Sequence, residues 1–192
     1  MPVSAKPHGA TLVYRLRVEL LGIEPLIWRR LLLPAEIKLP KLHQCLQLAM
    51  GWTNSHLHQF KVGETTYGIP DPEWPELRML DERRCRLCDL MGEAQRELVY
   101  EYDFGDGWEH RVILEQVEPP NALMRYPLCT AGQRACPPED VGGVPGYQNF
   151  LDAIRDPEHE EHAEYLLWAG GVFDPEGFDL NAVNHALRRA RL

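Results

Sequence analysis

With 192 residues, 44% of them apolar and 26% charged, the chain has an ordinary globular composition and enough mass for a core without disulfide staples. A net charge of −9 argues against a general phosphate-binding surface, because phosphate contacts draw on basic side chains. No apolar run approaches about 18 residues, and no apolar stretch of a secretion signal follows the N-terminus, so a reduced cytoplasmic protein with no membrane contact is expected.

Residues 1–10 read as a loose tail. "TLVYRLRVELLG" then alternates, with Leu12, Tyr14, Leu16, Val18 and Leu20 on one face. Gly22 to Pro25 marks a turn, and "LIWRRLLLP" is a second strand antiparallel to the first. Pro40 opens a helix whose apolar stripe is Leu42, Cys45, Leu46, Ala49 and Met50, closed by Gly51. "HLHQFKVG" and "TTYG" give two more strands. A proline-rich loop and a short helix near 87–95 come next, then strands at 97–104 and 108–117. Residues 118–146 hold too many prolines and glycines for regular structure. Tyr147, Phe150, Leu151 and Ile154 form a helical stripe. Asp156 and Pro157 read as the start of the next helix, and Asp179 caps a last one carrying Leu180, Val183 and Leu187. Strands first and helices last predict an α+β fold: a mostly antiparallel sheet, a helix inserted after the first hairpin and a helical C-terminal part, all one domain over residues 11–192.

"YEYDFGDGWEHRV", residues 100–112, concentrates polar and aromatic side chains. The face pattern selects a three-residue loop, Gly105–Asp106–Gly107, which pairs Phe104 with Trp108, Tyr102 with His110 and Tyr100 with Val112. The aromatics are then core. Glu101 faces Arg111, and Asp103 faces Glu109, a repulsive pair unless a cation intervenes. Asp106, at the tip, is expected to tolerate replacement by alanine. His110, on the apolar face, is expected to hydrogen-bond within the core.

Few other residues suggest chemistry. Cys85-x2-Cys88 together with Cys129-x6-Cys136 could form a four-thiolate zinc site, although the second spacing is longer than usual; the alternative is four unlinked thiols, and no other cofactor is expected. His56-x-His58 and the pair His159 and His162 read as surface groups, and "HEEH" lacks the zinc-protease spacing. "GGVPGY" precedes a helix but no Walker lysine follows. Three arginine-rich spots, at 29–30, 83–86 and 188–191, read as solvated surface.

"YRLRVELLGIEPLIWRRLLLP", "LHQCLQLAMGWTNSHLHQF", "YEYDFGDGWEHRVILE", "YPLCTAGQRACPPEDVGGVPGY" and "FDPEGFDLNAVNHAL", in this order, closely resemble the plasmid pRiA4b ORF-3-like family of bacterial proteins from about residue 12 to 187. The resemblance implies an α+β domain, supplies no agreed catalytic residues, and ties some relatives to mobile elements through a transposon-resolvase label. Serine-recombinase chemistry does not fit: the two serines, Ser4 and Ser55, have no arginine cluster beside them. Two readings remain. One is a non-catalytic binding or interaction module associated with mobile elements, with a protein partner rather than nucleic acid. The other is an enzyme, metal-dependent in one version, built on Asp103, Glu109 and His110.

Overall fold

The structure, a computed structural model, describes residues 12–73 and 78–190; the tail expected over residues 1–10 lies outside them. The opening alternation forms β1 (Val13–Leu20), antiparallel to β2 (Trp28–Pro34) with Leu16 opposite Leu31. α1 (Leu39–Met50) has Pro40 in its first turn and stops at Gly51, whose φ of 104° suits glycine alone. Its predicted stripe is buried. β3 (His58–Val62) and β4 (Thr65–Gly68) form a hairpin, and β5 (Leu80–Asp81) runs parallel to β4. A 3-10 turn over Glu82–Arg84 leads to α2 (Leu87–Leu90), a single turn rather than a helix reaching residue 95. β6 (Glu97–Tyr102), β7 (Trp108–Glu118) and β8 (Leu128–Gln133) follow, then α3 (Gly143–Arg155), α4 (His162–Trp168) and α5 (Leu180–Arg189).

Among the described residues, eight strands form one sheet in the order β5-β4-β3-β6-β7-β1-β2-β8, antiparallel except for β4 with β5. The fold is α+β, as the sequence predicts. One face carries the core: Leu16, Val18, Tyr100, Tyr102, Trp108 and Val112 pack with α1 and with Tyr147 and Phe150 of α3. The other face is a grid of ion pairs. Arg111 bonds Glu19 through two nitrogens at 3.0 and 2.6 Å, and Arg30 does the same to Glu115 at 2.6 and 2.8 Å.

Four local expectations change. β8 lies inside the segment read as irregular; it needs little intrinsic strand preference because β2 supplies its ladder, and Gly132 leaves room for the Phe178 ring, which would lie 2.5 Å from a Cβ there. α4 starts at His162, not at Pro157, because the Asp156 carboxylate accepts from Glu158 N–H and closes a turn instead. Arg29 is buried rather than solvated, its guanidinium donating to the carbonyls of Ala49, Trp28, Gln133 and Arg134.

The hairpin register is the fourth. Tyr102 pairs with Trp108 and Tyr100 with His110, so the loop has five residues, Asp103 to Gly107. This is a slip of two positions from the expected pairing, which preserves faces: Tyr100, Tyr102, Trp108, His110 and Val112 are buried as predicted. Phe104 alone changes role and is 46% exposed. Asp103 causes the slip. It takes a left-handed φ of 57°, and its Oδ1 accepts from the amides of Gly105 and Asp106, closing the loop. Glu101, not Asp103, therefore faces Glu109, and Lys61 of β3 sits between them at 2.7 and 3.4 Å. Arg111 pairs with Glu19 instead of Glu101.

Candidate functional site

Three loops meet at one end of the α1-facing side: residues 52–57 after α1, the hairpin loop 103–107, and residues 137–142 before α3. Trp52 anchors the first to the third, its indole N–H donating to Pro137 O at 3.0 Å. Glu139 ties the first and third loops to the end of β6. Its Oε1 accepts from Thr53 N–H at 2.7 Å and from the Thr53 hydroxyl at 3.0 Å, and both its oxygens accept from Tyr102 Oη at 3.1 and 3.2 Å. Asp103 N–H donates to Leu57 O at 2.9 Å, which fixes the hairpin loop against the first segment. Asn54, Asp103 and Asp140, one from each loop, have left-handed φ of 60°, 57° and 58°. Asn and Asp tolerate that region better than other non-glycine residues, and such positions cluster where loops are held for a purpose.

His56 stands where the loops converge. Its Nε2 lies 3.1 Å from Asp140 Oδ1, 3.5 Å from Asp103 Oδ2 and 3.8 Å from Glu139 Oε2. Beside it a cavity of about 360 Å³ opens, lined among others by His43, Asn54, His56, His58, Glu82 and Phe104. His58 Nε2 pairs with the buried carboxylate of Glu82 at 3.0 Å. The His43 ring stacks on His58, with centroids 3.5 Å apart and planes 4° from parallel.

Hydrogen bonds assign the His43 tautomer. Gln47 Nε2 donates to Tyr100 Oη, so that hydroxyl gives its own proton to His43 Nδ1 at 2.7 Å. His43 Nε2–H then donates to Asn54 Oδ1. Burial, and next the neighbouring His58, lower the His43 pKa to about 4, so it lines the cavity as a neutral ring. Burial also raises Tyr102 to about 12 and Tyr100 well above its ordinary value, which keeps both hydroxyls protonated as donors.

The residues singled out from sequence are dispersed. Asp103 belongs to the His56 cluster. Glu109 lies on the opposite face of the sheet with Lys61. His110 is fully buried; its Nδ1–H donates to Tyr100 O at 3.2 Å, its Nε2 has no partner, and burial lowers its pKa to about 4. The four cysteines do not assemble. Cys85 and Cys88 hydrogen-bond through their backbones to Leu39 and Ala35, whereas Cys129 and Cys136 both lie in the field of Arg29. Among the described residues, the one group of three or more His, Cys, Asp or Glu side chains with metal-ligand spacing is His56, Asp103 and Asp140. His56 and His58, read as surface groups, both line the cavity instead. Asp140 and Glu139 were not singled out, because "PPED" carries no local mark of chemistry; Glu82 sits equally unmarked in "DERRC".

"Plasmid pRiA4b ORF-3-like protein" is the description of the family whose model matches residues 12–182. The uncharacterized protein y4hQ of Sinorhizobium fredii (strain NBRC 101917 / NGR234) is 42% identical over 177 residues, 91% of this chain and 90% of the relative. The crystal structure of a protein of unknown function, MM3350 from Methanosarcina mazei Go1, superposes with a TM-score of 0.82 at 39% identity, covering 88% of this chain and 96% of that one.

Proposed function

The chain belongs to the plasmid pRiA4b ORF-3-like family, and with that as premise we propose that it is a non-catalytic binding module whose ligand site is the cavity beside His56. One observation carries this reading. Phe104, Leu57 and Ile69, 46%, 66% and 57% exposed, leave large apolar side chains in solvent around a cavity that also holds the buried His58–Glu82 pair. Apolar walls with a few convergent polar groups are the usual make-up of a small-molecule site. The ligand class that fits has an apolar body for Phe104 and Ile69 and a polar head that hydrogen-bonds His58.

A second reading has its own support. A buried carboxylate that orients an imidazole at a cavity wall is the pairing used for general acid–base chemistry, so a proton-transfer enzyme built on His58 and Glu82 is the alternative. The wider setting we propose is cytoplasmic and tied to mobile elements, with a protein rather than a nucleic-acid partner. The net charge of −9 supports the second half, as does the engagement of Arg29, Arg30 and Arg83 by groups of the chain itself.

Native mass spectrometry of the protein purified from its host, with thermal shifts across a metabolite library, tests the binding reading. A bound small molecule, or a shift that disappears in Phe104→Ser, is expected. No ligand by either route, with a protein partner protecting Phe104 from labelling, would replace the cavity with an interaction surface.

A further inference from the structure

We propose that His56, Asp103 and Asp140 form a binding site for a first-row divalent cation at the edge of the cavity. One atom of the cluster lacks a partner. The His56 side chain is 26% exposed, but its Nε2 atom is covered and makes no hydrogen bond, although three carboxylate oxygens lie within 3.8 Å of it. In a simple ion pair the ring N–H would point along one nitrogen–oxygen line. Here three carboxylate oxygens stand near the nitrogen and none of them forms a hydrogen bond with it.

The spacing fits a shared ion. Zinc-like ions hold imidazole nitrogen and carboxylate oxygen at about 2.0–2.2 Å, so two such ligand atoms lie roughly 3.0–3.5 Å apart at octahedral to tetrahedral angles. His56 Nε2 is 3.1 Å from Asp140 Oδ1 and 3.5 Å from Asp103 Oδ2. All three ligand atoms fall within 4.8 Å of one another.

Two of the carboxylates are also held in place by hydrogen bonds. The Asp103 side chain is only 9% exposed. Its Oδ1 is fixed by the amides of Gly105 and Asp106, which turns Oδ2 toward His56. Glu139 is fixed by Thr53 and Tyr102 and stands behind the cluster as an outer-shell acid. Three carboxylates gathered around one imidazole leave excess negative charge, which a divalent cation neutralises. Nitrogen with carboxylate oxygen selects manganese, cobalt or zinc over magnesium and calcium, which prefer oxygen alone. Three protein ligands leave coordination positions open, and His56 also lines the cavity. The inference does not depend on the cavity ligand, since the ion is tested alone.

The test uses the full chain, stripped with a chelator and titrated with Mn²⁺, following free Mn²⁺ by electron paramagnetic resonance. Manganese is chosen because the free cysteines would compete for zinc. One ion per chain is expected, with affinity falling roughly tenfold or more in His56→Gln and in Asp140→Asn. Asp140→Asn is the safer variant: the side chain is 70% exposed, and asparagine accepts the left-handed backbone. Glu115→Gln, on the opposite sheet face, should leave binding unchanged. Co²⁺ gives a second readout, an absorption spectrum of nitrogen and oxygen ligation without thiolate charge-transfer bands. Absence of Mn²⁺ and Co²⁺ binding in the parent chain, or equal binding in folded His56→Gln and Asp140→Asn, overturns the proposal.

Discussion

At His110, burial removes the proton. The unfolded imidazole takes up a proton near its ordinary 6.5, and the folded one only near 4. Between these values the unfolded state binds the extra proton, so this contribution to stability is intact above the upper value and lost as pH falls through the window. His43 adds a second group with the same sign and the same lowered value. Each is worth on the order of 2–3 kcal/mol at the acid end. Denaturant melts near pH 7 and near pH 4.5 should show this loss, with a shallower acid limb in His110→Phe; parallel limbs would mean that His110 is charged in the fold. Trp108, 1% exposed, should cost about 3–5 kcal/mol when replaced by alanine. Asp106 is no longer expected to be silent. Its Oδ2 accepts from Gly142 N–H at 3.1 Å, at the start of α3, so Asp106→Ala should cost about 1 kcal/mol in the same melts.

The hairpin loop and the start of α3 act as one joint between elements. Gly143 has φ of 67°, and a Cβ there would lie 2.5 Å from Asp106 O. Glycine to alanine inside a helix ordinarily stabilises. Here the sign reverses: Gly143→Ala should lose more than about 1 kcal/mol, because both the backbone angle and the space forbid the methyl group. A stabilised variant by urea unfolding would show that the loop can move away from the helix. The same joint engages the first amide of "GGVPGY" internally. The Asp106 carboxylate puts negative charge at the positive end of α3.

Across the molecule, core and site divide along the hairpin. Residues 100, 102, 108, 110 and 112 face the core, while the loop between them supplies Asp103 to the His56 cluster and Phe104 to the cavity wall. Phe104→Ser should therefore abolish ligand binding while changing stability by no more than about 0.5 kcal/mol, the reverse of Trp108→Ala. Thermal melts run beside the binding assay check this, and a large loss of stability would return Phe104 to the core. Among the described residues, no helix is long and apolar enough to cross a membrane.

Local periodicity made much of the fold legible. The alternation of Leu16, Val18 and Leu20, the stripe of Leu42, Cys45 and Leu46, Gly51 as the stop of α1 and Asp179 as the cap of α5 are short-range patterns, and all four stand in the structure. The buried face of residues 100–112 was legible too, since a slip of two positions leaves a period-2 face unchanged. The register itself was not, because it depends on Asp103 closing the loop with its own carboxylate. β8 was hidden because its ladder comes from β2, far away in sequence. The candidate site was hidden for the same reason: His56, Asp103 and Asp140 come from three loops, each ordinary alone. Sequence spacing reports what one helix or strand brings together. Contacts between distant loops depend on how the sheet and α1 position them, and only the tertiary structure decides that.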